Sequence, residues 1–542
     1  MNKLVLKGVA GVFSLAVLFG TVSCGEDDKT PATVSVTAVA LDRPAATIKP
    51  GEELTLVATL TPSDATNKIL SWTSSDEDVA TVSGGKVTGV AEGEAAITVK
   101  TEDGNKTAVC QITVSADAPQ SREVVLKGAI TENLTLRKAD KNYLQGFVYV
   151  KPGYTLTIEA GTVIKGNAPA AGEKAAALII EPGARIMAEG RQDAPIVFTS
   201  AKPAGQRDYG DWGGLILCGN ARVNNTSTPT IEGGPGTQYG SQTDTYNGES
   251  SGIVKYVRIE FAGYPLEPNK EINGLTCGGV GSGTTIEYVQ VSYCGDDSFE
   301  WFGGTVNASH LIAYKGWDDE FDTDNGYNGM LQFLLGVRDP RHADTSKSNG
   351  FESDNDADGS QNLPLTRPVF SNVTLIGPFY GVSEGKADAD ILYNTEDAAN
   401  GAKGGQFQAA MHIRRNSSLQ VYNSVFTGWP YGLFLDKNNA GAVVKNTVFA
   451  GMWKNFRNTE SETYFNTGAL NNLTFASSND LIATDGIYSS VVADHITGAD
   501  FSDAALENSY FKKVSYKGAF DGTAAGDWTK GWANWDPQHT EY

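Results

Sequence analysis

The carboxylates of this chain are bunched, and bunched carboxylates do one of two kinds of chemistry: they hold a hard cation, or they trade protons. "GWDDEFDTDNG" (316–326) sets five of them in eleven positions. Related phrases are "GDDSFEWFGG" (295–304) upstream and "NGFESDNDADG" (349–359) downstream. Each places an acid directly after a phenylalanine: Phe299–Glu300, Phe321–Asp322 and Phe351–Glu352. If the phenylalanines line up inside stacked strands, side-chain alternation sends Glu300, Asp322 and Glu352 outward as one column, with Asp296 and Asp318 also in register. Bare carboxylates about 5 Å apart near a surface repel by roughly 1 kcal/mol or more. Such a column needs a cation, shared protons or basic partners. Asp354, Asp356, Asp358 and Gly359 have the spacing of the first half of a DxDxDG calcium loop, but its twelfth position, where a bidentate Glu belongs, is Leu365. The metal candidates are therefore Asp296, Asp318, Asp322, Asp354, Asp356 and Asp358, with calcium as the cofactor. The competing reading makes these Asp, Asn and Gly residues turn formers on a solvated surface.

Catalysis is the rival use of the same acids. Glycoside hydrolysis needs two facing carboxyls, and the catalytic set would be Glu300, Asp322, Glu352 and Arg414. A calcium-assisted lyase needs an Arg or Lys base, for which Lys315, Arg338, Arg414 and Arg415 are available. "HIRRNSS" (412–418) lacks the Gly-His-Gly context of a galacturonase, and His310, His342 and His412 read as surface or turn residues. Trp301, Trp317 and Trp429 lie beside Gly-rich turns, where an exposed indole would stack on a sugar ring. The alternative is that they fill the core.

Positioning these groups falls to a repeat. "LTIEAGTVIKG" (156–166) returns as "LIIEPGARIMAEG" (178–190) at an offset of 22, and "DDSFE" and "DDEFD" share that offset. "YNSVFTGW" (422–429) and "KNTVFAGMW" (445–453) repeat at 23. The apolar runs are too short and too often broken by Gly or Asn for helices. A period near 22 built from strands and turns predicts a large right-handed parallel β-helix over residues 123–542. "DWTKGWANW" (527–535) reads as the C-terminal cap that a solenoid end requires. Residues 34–115 alternate apolar and polar with frequent turns, which predicts a small β-sandwich, and residues 116–122 form a linker. The fold class is all-β.

Over residues 34–115, "LTLVATLTPSDATNKILSWTSSDEDVATVSGGKVTGVAEGEAAITV" closely resembles the group 2 bacterial Ig-like family. The resemblance implies a spacer or adhesion module with Trp72 as its core aromatic. "GDWGGLILCGNA" (210–221), "VKYVRIEFAGY" (254–264), "NGLTCGGVGSGTTIEYVQVSYCGDDSFEWFGGTVN" (273–307) and "DWTKGWANWDPQ" (527–538) are similar to a Bacteroidota-type surface-protein family. That resemblance implies a parallel β-helix and no particular activity.

Basic and acidic side chains number 42 and 64, a net charge of −22, which repels nucleic acid. Residues 1–24 read as a signal peptide whose end, "TVSC", resembles a bacterial lipobox with Cys24 as the lipidated residue. "GEDDKT" in residues 25–33 resembles the acidic flag of surface-exported lipoproteins. Together they imply lipid anchoring in the outer membrane, facing outward. Cys110, Cys218, Cys277 and Cys294 show no zinc or redox spacing, and pairing of Cys277 with Cys294 stays open. The chain therefore reads as a surface lipoprotein that binds a polysaccharide or a host or neighbouring-cell ligand through a calcium-stabilised β-helix. The alternative is a β-helical polysaccharide lyase or glycoside hydrolase at the cell surface, and a structural part of an envelope complex is a third reading.

Overall fold

Short apolar runs separated by turns stack into one 26-stranded, almost wholly parallel sheet that winds through three faces per coil. A computed structural model describes residues 33–116, 121–167, 175–233, 236–267, 270–379, 395–396, 403–437, 439, 441–478 and 497–542. Cys24 and the leader lie outside the described residues. The chain divides into two compact units, before and after the Gln120–Ser121 bond. No helix among the described residues is long and apolar enough to cross a membrane.

In the first unit, one sheet contains Ala45–Ile48, Thr107–Val114, Gly93–Thr101 and Leu70–Ser74, and another contains Glu53–Thr55, Lys86–Gly89 and Ala80–Ser83. They enclose Ile48, Val87, Ile97, Cys110 and Ile112, with Trp72 partly buried against that core.

In the second unit, one face of the solenoid carries the acidic phrases. Its strands are β1 (Leu275–Val280), β2 (Phe299–Gly304), β3 (Phe321–Asp324), β4 (Phe351–Ser353), β5 (Ala409–Arg414) and β6 (Tyr431–Asp436). Leu275, Phe299, Phe321, Phe351, Met411 and Leu433 pair rung by rung inside the coil. The Phe299 and Phe321 rings stack at 5.6 Å. Stacking buries an inner face that no single coil covers alone, and so holds the solenoid together. At one corner the successive residues Tyr256, Tyr288, His310, Phe333, Asn372, Asn423 and Asn446 all take positive φ. The asparagines suit that left-handed position, and Asn446 Nδ2 donates to Asn423 Oδ1 at 2.7 Å.

The C-terminal segment is not the end cap that its tryptophans suggested. Trp532 is buried, and Trp528 and Trp535 pack beside it, on the solenoid's side against Ile312, Tyr314 and Leu335. Asn534 exchanges two hydrogen bonds with Gln290, and Arg207 Nη1 donates to the Pro537 carbonyl at 2.8 Å. The segment is a strap running back over earlier coils. At the late coils, the helix Thr459–Phe465 seats Phe465 on Phe449 at 4.3 Å.

Candidate functional site

Side-chain alternation on β2, β3 and β4 fixes the site. With the phenylalanines inside, their neighbours Glu300, Asp322 and Glu352 stand in register on the opposite side of the sheet, continued by His412 on β5 and Phe434 on β6. The column is far drier than a solvated surface. Glu300 is only 6% exposed, and Asp297 and Asp319 are buried beside it.

Three overlapping sets of carboxylates converge: Asp296, Asp297 and Asp318; Asp297, Glu300 and Asp322; and Asp319, Asp322 and Glu352. Within each set the oxygens lie within 4.8 Å of one another. Oxygens sharing a calcium at 2.3–2.6 Å can be at most about 5 Å apart, so each set has the compactness of a calcium shell. Asp297 Oδ1 accepts the Asp319 amide at 2.8 Å, Asp319 accepts the Asn349 amide, and Glu300 accepts Asn273 Nδ2. Ser346 Oγ donates to Asp318 Oδ2 at 2.6 Å. Asp318 Oδ1 and Asp322 Oδ1 are buried without a hydrogen-bond partner among the described residues.

Burial, and then the neighbouring acids, push the carboxyls of Asp297, Asp319 and Asp322 well above the usual range. Burial and then Glu232 do the same to Glu300. Burial raises Asp318 to about 7 and Asp324 to about 8. Glu352 goes the other way: burial would raise it, but His412 and the Arg414 charge together outweigh that and hold it low. His412 Nδ1 lies 3.4 Å from Glu352 Oε2, and Arg414 Nη2 contacts Glu352 Oε1.

The calcium-loop spacing at residues 354–359 has another use. Asp354 accepts Arg414 Nε and Arg415 Nη1, each at 2.8 Å, so its charge is already balanced. Asp356 Oδ1 accepts the amides of Asp358 and Ser360 at 3.1 and 2.9 Å, closing a turn. Asp354, Asp356 and Asp358 stand outside the three converging sets. The sequence reading missed Asp297 and Asp319 as ligand candidates. Their signal was present, because both are the second Asp of a doublet repeated at an offset of 22.

A family model described as a pectate-lyase like beta helix domain matches residues 128–533. The chain belongs to that family. The model of the bacterial Ig-like domain (group 2) matches residues 35–112. An Ig-like virion protein of Serratia phage KSP90 is 49% identical over 98 residues, 18% of this chain and 38% of that protein. An alpha-L-arabinofuranosidase of Bifidobacterium longum subsp. longum is 36% identical over 128 residues, 22% of this chain and 12% of the enzyme. The chain thus spans well under half the length of these relatives. The crystal structure of S-layer protein SbsC domains 4 and 5 aligns at 26% identity with a TM-score of 0.14, covering 15% of this chain and 53% of that one. That TM-score is too low to inform the fold.

Within this pectate-lyase like beta helix, the expected sugar platforms are not platforms. Trp301 and Trp429 are 1% and 0% exposed. Trp301 stacks on the buried Tyr327 at 5.5 Å inside the solenoid. Trp317 is buried too, and its indole donates to the Ala343 carbonyl at 3.0 Å. None of the three offers a face to a sugar. His412 is buried and stacked on Phe434 at 4.6 Å, and burial drops His310 to about 3, so neither is an ordinary surface histidine. Cys110, Cys218, Cys277 and Cys294 are free and buried.

The lyase-base candidates are also engaged. Arg414 is held protonated: burial would lower it, but Glu352 and Asp354 outweigh that and raise it. Arg338 is fully buried, donating to Glu320 Oε1 at 3.1 Å and to the Trp317 carbonyl at 2.9 Å.

Proposed function

We propose that this β-helix protein is a surface-displayed binder of a glycan or of a neighbouring or host cell, and that calcium held by the acidic column stabilises its solenoid. The observation that carries the calcium part is the imbalance at β2 and β3. Asp297, Glu300, Asp318, Asp319 and Asp322 converge, while the nearest arginines are committed to Glu320, Glu352 and Asp354. A hard cation with oxygen ligands meets that need, and Asp318 Oδ1 and Asp322 Oδ1 are the acceptors it would satisfy. Surface display rests on the "TVSC" and "GEDDKT" stretches of the leader, with Cys24 as the lipid attachment point. The Ig-like unit serves as the spacer.

Calorimetric titration with calcium tests the column, and a glycan array read with and without chelator tests the binding. The absence of calcium binding would sink the first part; the absence of any glycan or cell-surface ligand would sink the second. For display, Cys24→Ala is expected to release the protein from the membrane fraction, and unchanged fractionation would contradict lipid anchoring.

One observation favours an enzyme as the second reading. Asp322 and Glu352 are adjacent rungs whose surroundings push their carboxyls in opposite directions, the arrangement from which acid and base roles arise. Release of sugar products from a polysaccharide panel would establish it.

A further inference from the structure

The outward column that holds the acids also runs toward the N-terminal coils. From Glu300 it continues rung by rung through Thr276, Ile216 and Ile179 to Tyr149, about 19 Å away at the usual strand separation. There it opens into a cleft of about 530 Å³ lined by Tyr149, Lys151, Glu181, Thr230, Thr237 and Gln238. On the far wall, which Thr230, Thr237 and Gln238 line, the Ile231 amide donates to the Thr237 carbonyl at 2.8 Å. The same stretch reaches the acids: Tyr239 tilts against Phe302 at 6.2 Å, and the Glu232 charge acts on Glu300. Between the two the row is covered: Thr276, Ile216 and Ile179 are buried, with Ile231 and Tyr239 packed in the same apolar cluster as Ile179 and Ile216.

The chemistry of the cleft differs from that of the column. Lys151 Nζ lies 2.6 Å from Glu181 Oε1, so one positive and one negative charge cancel. A carboxylate with free acceptor capacity, an ammonium with further donors, two threonine hydroxyls and a Gln amide together match vicinal hydroxyl groups. The half-buried Tyr149 ring, over which Lys151 Nζ sits 5.7 Å from the centroid, adds aromatic surface for the C–H groups of a sugar. The volume falls in the usual range for a small-ligand site.

From these observations we infer that the Tyr149 cleft is a glycan subsite, selective for neutral sugar units because its own charges cancel. The inference rests on the glycan-binding reading and deepens it by naming a binding cleft and a class of sugar.

The test uses the full chain and a panel of xylan, arabinan and mannan oligosaccharides, with oligogalacturonate as the acidic comparison. Binding is followed by calorimetry and calcium uptake is measured in parallel. At least one neutral oligosaccharide is expected to bind, and Tyr149→Ala to weaken it about tenfold. Glu181→Gln is expected to weaken it as well, with calcium uptake unchanged in both variants. Tyr149→Phe, which keeps the ring, is expected to bind like the natural chain and controls for folding. Neutral binding that is absent, or unaltered in both Tyr149→Ala and Glu181→Gln, overturns the inference. Tyr149-dependent binding in a protein that takes up no calcium supports the cleft and sinks only the column.

Discussion

Without the proposed calcium, the acidic column is expected to be a weakness that grows with pH. In an unfolded chain these carboxyls lose their protons near pH 4. In the chelated folded protein burial keeps them protonated longer, Asp318 to about 7 and Asp324 to about 8, with Asp297, Glu300, Asp319 and Asp322 also raised. The folded state then binds more protons than the unfolded one, so stability is full below about pH 4 and falls as pH rises through the folded values. His310, lowered by burial to about 3, has the opposite effect, but only below about pH 6.5. Between about pH 6.5 and 8 the column therefore sets most of the slope, with Glu320, raised by burial to about 7, adding to the fall in the same direction. Across that range Asp324 alone contributes about 2 kcal/mol, and each carboxyl still protonated near pH 8 adds a similar amount. At about 2.1 cal/mol/K per residue over roughly 420 residues, each kcal/mol moves the midpoint by about 1 °C. The chelated protein is thus expected to lose at least about 2 °C between those pH values, and about 10 °C if the four more strongly raised carboxyls take part. Calcium, by favouring the ionised carboxylates, is expected to flatten or reverse the slope. Scanning calorimetry in EDTA and in calcium chloride measures both. The reasoning fails if the chelated midpoint does not fall with pH, or if calcium adds nothing near pH 8.

Asp322→Asn removes a ligand and a repelling charge together. It is expected to weaken calcium binding by about tenfold or more in a calorimetric titration, while raising the midpoint of the chelated protein near pH 8. Arg414→Ala leaves Glu352 and Asp354 buried without their shared partner; a loss of about 3–5 kcal/mol is expected from urea unfolding. Trp532→Ala empties a site at which the indole is 1% exposed. About 3–5 kcal/mol is expected to go, with the strap becoming the first segment cut in limited proteolysis.

The coil period and the Phe–acid register were legible because both are local. A strand alternates with a period of 2, and repeating one phrase at a fixed offset leaves one way to stack it. The same alternation also decided Trp301. It lies two residues after Phe299, so an inward Phe299 carries it inward, and a glycine-rich neighbourhood does not override that parity. The partners of Asp354 were not legible. Arg414 and Arg415 lie 60 and 61 residues downstream and reach it only because β5 stacks on β4. The strap was misread because three tryptophans near the chain end look alike whether they cover an end or a side. Only long-range pairings such as Asn534 with Gln290 separate the two.

The column is not uniform in charge along its length. Beside β4 and β5 the fold supplies its own positive charge, since Arg414 and Arg415 arrive beside Glu352 and Asp354. On β2 and β3 the stacked coils bring acid against acid: Asp297 meets Asp319, and Glu300 meets Asp322. The nearby Arg338 is already held by Glu320 and the Trp317 carbonyl. A lyase would need an uncommitted base at this point, and the ion pairs that stabilise β4 and β5 consume the best one. The stacking of β5 on β4 that pairs Arg414 with Glu352 and Asp354 thus leaves the acids of β2 and β3 without it, and this imbalance is what the proposed calcium would answer.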